Sequence, residues 1–121
     1  MPLTSAERQR VHDFLPPGER IDYVFPAQVQ YGLVGGFLIV ITGDEILVVS
    51  TGLRSYTWPK AIWARYPRKT RLGPLDDSVG LAFSLGGVIF EIDEEYAAVV
   101  MAADAEAAGT ENFPVDPLPD L

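Results

Sequence analysis

The chain has no cysteine, a single histidine and few cations. Without cysteine there is no disulfide framework, no thiol nucleophile and no Cys-type zinc or iron–sulfur site. The same absence fits a reducing compartment, and a cytoplasmic location is expected. Long apolar runs are missing too. The longest, Gly32 to Ile41, holds three glycines and falls short of the ~18 residues of a membrane span. Met1 to Arg10 is charged and polar, which argues against a signal peptide. Lys and Arg number 9 against 17 Asp and Glu, for a formal net charge of -8. Phosphate binding needs a local excess of cations, so general nucleic-acid binding is not expected.

What is present points to one domain. The 121 residues are 48% apolar, enough for a core of their own and too apolar for wholesale disorder. Thr4-Ser5-Ala6-Glu7 has the spacing of a capping box, in which a hydroxyl and a carboxylate satisfy each other's free amides. A helix is expected over Ser5–Phe14, stopped by Pro16-Pro17-Gly18.

A period of two then takes over. Ile21, Tyr23, Phe25, Ala27, Val29 and Tyr31 alternate with polar positions and predict a first strand. Pro26 inside it lacks an amide donor, which predicts an edge strand or a bulge. Phe37–Thr42 and Glu45–Thr51 read as a hairpin turned at Gly43-Asp44. Arg54–Trp58 reads as a fourth strand ended by Pro59, and Ala61–Tyr66 as a fifth. After the polar segment Pro67–Asp77, Val79–Leu85 and Val88–Ile92 form a second hairpin turned at Gly86-Gly87. Asp93 is placed to cap a helix whose apolar face is Tyr96, Val99, Val100, Ala103 and Ala107, with Gly109 as its stop.

The expected fold is mainly β with α: a seven-stranded antiparallel barrel capped by a C-terminal helix, preceded by a short N-terminal helix. Expected boundaries are 1–14 for the N-terminal helix, 15–109 for the barrel with its capping helix, and 110–121 for an acidic, proline-rich tail. A seven-stranded sheet with one apolar face must curl to bury it, and the helix needs a barrel end to cover.

Seven strands followed by a helix is the order of the pleckstrin-homology-like (PH-like) barrel. Leu15-Pro16-Pro17-Gly18-Glu19, the hairpin Ile41–Leu47 and Trp58-Pro59-Lys60 resemble elements of bacterial PH-like domains. Arg68–Pro74 and Ala102-Ala103-Asp104 resemble segments of small actinobacterial members. The likeness spans about residues 15–106. It implies an interaction scaffold rather than an enzyme. Phosphoinositide-binding PH domains carry cations around the loop between the first two strands, and Gln30–Gly36 here has none.

Charge is the most uneven feature. Arg54, Lys60, Arg65, Arg68, Lys69 and Arg71 are six of the nine cations, and no acid lies between Ile46 and Leu75. Tyr56, Trp58, Trp63 and Tyr66 are interleaved with them. The candidate anion-binding residues are Arg68, Lys69, Arg71, Arg65 and Lys60, the first three beside amides near Gly73. Two plainer readings compete: a solvated strand face, or a basic strip facing the acidic tail or the acidic start of the last helix. His12 has no evident partners for a triad. Gly32–Gly36 lacks a phosphate-loop pattern. The acids Glu91, Asp93, Glu94, Glu95, Asp76 and Asp77 lack calcium-loop spacing. No catalytic, cofactor or metal residue is therefore named. The expected role is a non-enzymatic interaction or assembly module with a protein partner or self-association, using an edge strand or the acidic tail. The alternative is a binder of an anionic ligand or anionic membrane through residues 54–71.

Overall fold

A computed structural model of the chain describes residues 3–29, 36–51, 58–73, 75–76 and 81–112, with side chains up to residue 107. The N-terminal helix α1 spans Ser5–Phe14, and both halves of its capping box are made. Glu7 N donates to Thr4 Oγ1 at 3.1 Å, and Thr4 N donates to Glu7 Oε1 at 2.8 Å.

Six strands follow: β1 Ile21–Val29, β2 Phe37–Thr42, β3 Glu45–Thr51, β4 Pro59–Pro67, β5 Ala82–Leu85 and β6 Val88–Glu91. All pairings are antiparallel. The order across the sheet is β4-β3-β2-β1-β6-β5. The sheet curls into a half-barrel whose two ends are β4 and β5, with no ladder joining them among the described residues. The expected fourth strand, Arg54–Trp58, lies largely outside the described residues; only Trp58 is described, and it precedes β4. Seven strands are thus not seen among the described residues. Pro59 is the first residue of β4. Proline is tolerated there because a first residue on an end strand needs no ladder donor.

Two turns match their residue types. Thr42 Oγ1 accepts from the amides of Asp44 and Glu45, which closes the β2–β3 turn. Gly86 and Gly87 have φ of +60° and +82°, the two positive angles that a tight β-hairpin turn requires. Gly86 is further constrained, because the Tyr66 phenol of β4 occupies the place a Cβ would take. This contact brings the two free ends of the sheet together.

Pro26 does not mark an edge of the sheet: β1 lies between β2 and β6. Its ladder runs to β2 over Ile21–Ala27 and to β6 only at Gln28 and Val29. Pro26 sits in the stretch that, among the described residues, pairs with β2 alone, where one side of β1 carries no ladder and a residue without an amide donor is tolerated.

The sheet buries both of its faces at β2 and β3. Phe25, Ile39, Ile41, Ile46 and Val48 point inward and pack on Phe83, Phe90, Tyr96, Val100 and Ala103. Leu38, Val40, Leu47 and Val49 point the other way and are covered by Leu3, Val11 and Leu15. The expectation of one apolar face therefore understates β2 and β3, and α1 is the layer that covers the second face.

After β6, Glu94–Tyr96 forms a single 3-10 turn, and α2 runs from Ala97 to Asn112. Asp93 precedes the turn but makes no side-chain capping bond. Tyr96, Val100, Ala103 and Ala107 are buried and Val99 is half-buried, as the apolar spacing predicts. Gly109 does not stop the helix. A helical glycine costs about 1 kcal/mol, against about 3 kcal/mol for proline, and the next proline is Pro114. No helix among the described residues is long and apolar enough to cross a membrane.

Candidate anion- and partner-binding surface

β4 and the turn after it carry the sequence-predicted site residues. The register of β4 on β3 slips twice. Val48 faces Ala64 and Val49 faces Ile62, leaving Trp63 unopposed; Ser50 faces Ala61 and Thr51 faces Pro59, leaving Lys60 unopposed. Each slip is a bulge, and a bulge re-aims the side chain of its extra residue. Lys60 is exposed and Trp63 is 54% exposed. The Trp63 ring still leans on Phe37 at 5.2 Å between centroids, and Phe37 meets the core ring of Phe90 edge-on. Trp63 is thus an exposed indole on a rigid aromatic base.

Arg65 pairs with Glu45 of the neighbouring strand at 2.9 Å, and both side chains remain substantially exposed. Such a pair contributes about 0–1 kcal/mol. Trp58, 56% exposed, is covered on one face by the Arg10 guanidinium of α1 at 4.3 Å. Arg54 and Tyr56 lie outside the described residues.

The loop after β4 has a different fate. Arg68 is only 16% exposed, and its Nη2 lies 3.0 Å from Glu106 Oε1. Both terminal nitrogens also donate to the Ala103 carbonyl at 3.4 Å. The amides of Leu72 and Gly73 donate to the two oxygens of Asp104 at 2.7 and 2.6 Å. Glu106 Oε2 accepts from the Tyr23 hydroxyl at 2.6 Å. That bond and burial push the Tyr23 phenol pKa above its ordinary value. The amides expected to hold an external anion already hold a carboxylate of α2. Among the described residues, Lys60, Lys69 and Arg71 have no ion pair.

The residues that sequence reasoning missed are Asp104, Glu106 and Tyr23. Asp104 and Glu106 are the only charges on an otherwise apolar helical stretch, Ala97–Ala108, and that isolation was the available signal. His12 is exposed in the last turn of α1. No protein-family model matches the chain, and no curated protein or solved structure matches it either.

Proposed function

We propose that the protein is a non-enzymatic, PH-like interaction module that takes an acidic, extended segment of another protein along β4. The observation that carries this reading is the end strand itself. β4 is nine residues long and, among the described residues, pairs on one side only. An end strand offers main-chain donors and acceptors to an added strand. Lys60, which has no ion pair among the described residues, repels cationic strands and favours an acidic one, while Trp63 supplies an apolar contact. The half-barrel order of strands closed by α2 supports the PH-like reading.

The alternative, an anionic ligand or membrane held by Lys60, Lys69 and Arg71, has less support. Arg68 and the Leu72 and Gly73 amides are occupied from within the chain.

A fluorescent peptide alternating Glu with Val tests the reading by anisotropy, alongside amide exchange. Binding should slow exchange in Pro59–Pro67 and weaken at least tenfold in Lys60→Glu combined with Trp63→Ala. Undiminished binding by that variant, or equal binding to phosphatidylglycerol vesicles, overturns it.

A further inference from the structure

Beside α2, on the side of the loop that follows β4, lies an open groove of about 430 Å³. It is lined by Leu75, Val100, Met101 and Ala105 together with Arg71 and Asp104. Met101 is 64% exposed, the most exposed large apolar side chain among the described residues. The charge of Asp104 is already met by two loop amides. Arg71 is exposed and, among the described residues, has no ion pair. The groove therefore suits a ligand that is apolar along its length and carries a carboxylate.

The chain supplies such a segment from the end of the same helix. Residues 113–121 read Phe-Pro-Val-Asp-Pro-Leu-Pro-Asp-Leu. Val115, Leu118 and Leu121 are spaced by three, the repeat of a polyproline II helix, so in that conformation they share one face. Pro114, Pro117 and Pro119 favour this extended form and lower the entropy lost on docking. Asp116 and Asp120 supply carboxylates for Arg71. Reach is sufficient. Asn112 lies about 17 Å along the helix axis from Met101, and nine residues of polyproline II span about 28 Å.

We propose that residues 113–121 fold back along α2 and dock in this groove within the same chain, Val115 against Ala105, Leu118 against Met101 and the acids toward Arg71. This inference is independent of the proposed role of β4. It assigns the tail to a place away from that strand, leaving β4 open to another protein.

The absence of cysteine and the presence of only two methionines make a clean test. A nitroxide on Pro119→Cys is read through the methyl signals of Met1 and Met101 in methyl-labelled, dilute protein. Met101 should broaden at least fivefold more than Met1. Leu118→Ser or Arg71→Glu should reduce that broadening by half or more while amide spectra show the fold intact. Equal broadening of both methyls, or none, overturns the proposal. Broadening of the Trp58 and Trp63 indole signals instead places the tail on β4 and also overturns it. So does broadening of Met101 that appears only when isotope-labelled chains are mixed with spin-labelled ones, because the occupant is then a second copy.

Discussion

Replacing Asp104 with alanine tests how α2 is fixed to the sheet. The carboxylate accepts from Leu72 N and Gly73 N at 2.7 and 2.6 Å. Hydrogen bonds to a charged group contribute about 1.5–3 kcal/mol each. Asp104 is half-exposed, so water can replace part of what is lost, and the low end, about 3 kcal/mol for the pair, applies. Alanine is the better helix former by about 0.7 kcal/mol, which offsets some of the loss. The net expectation is a loss of about 2 kcal/mol, or a fall in Tm of about 8 °C at this chain length. Thermal unfolding followed by circular dichroism measures it. Asp104→Asn keeps one acceptor oxygen and should fall between the parent and the alanine variant. If Asp104→Ala melts within 2 °C of the parent, the two short bonds do not hold the loop to the helix and the reasoning fails.

Three further outcomes are expected. Gly87→Ala should cost about 1 kcal/mol for a positive φ alone, since nothing stands within 4 Å of its added Cβ. Gly86→Ala meets the Tyr66 phenol as well and should cost at least twice as much in urea unfolding; equal costs would refute the close approach. Val11→Ala removes two buried carbons between α1 and the outer face of the sheet and should cost about 2 kcal/mol, against no more than a few tenths for the exposed Gln9→Ala. The pKa of Tyr23 is raised above 10.0 by its bond to Glu106. Its contribution to stability is therefore present below pH 10 and lost as pH rises through the folded-state value. Tyr23→Phe should flatten the decline in Tm above pH 10, and burial of Tyr96, which raises that phenol too, accounts for the decline that remains. An unchanged alkaline slope in Tyr23→Phe would contradict the Tyr23–Glu106 bond.

Local chemistry was legible in the sequence where neighbours in the chain decide the structure. The capping box set the start of α1, the Gly-Asp and Gly-Gly pairs set two hairpins, and the period of Tyr96, Val100, Ala103 and Ala107 set the buried face that runs from the 3-10 turn into α2. Legibility failed where partners are remote. Nothing near Asp104 announces that the Leu72 and Gly73 amides, 32 and 31 residues away, will point at it. The bulges at Lys60 and Trp63 break the alternation that identifies a strand, so the pattern starts this strand at Ala61, two residues after its actual beginning. Pro26 signalled a one-sided ladder, but pattern alone cannot separate a sheet edge from a strand that changes neighbours along its length. The second apolar face of β2 and β3 was visible as unbroken apolar runs, and only the packing of α1 gives those runs their reason.

The charge asymmetry of the sequence resolves into two parts with different consequences. At the loop end, Arg68 and two amides are satisfied by Glu106 and Asp104, which converts part of the basic strip into the attachment of α2. Along β4, Lys60 and Trp63 occupy bulges and are turned outward without such partners. Bulges and cations on an end strand are also how sheets avoid pairing with copies of themselves. Protection of this kind disfavours neutral and basic strands and leaves an acidic one as the best match. The distinction is measurable. Lys60→Val should remove the repulsion while keeping the bulge, so concentration-dependent self-association by sedimentation should rise at least tenfold. Unchanged sedimentation would mean that the edge is guarded by its shape rather than its charge, and the acidic preference assigned to β4 would lose its basis.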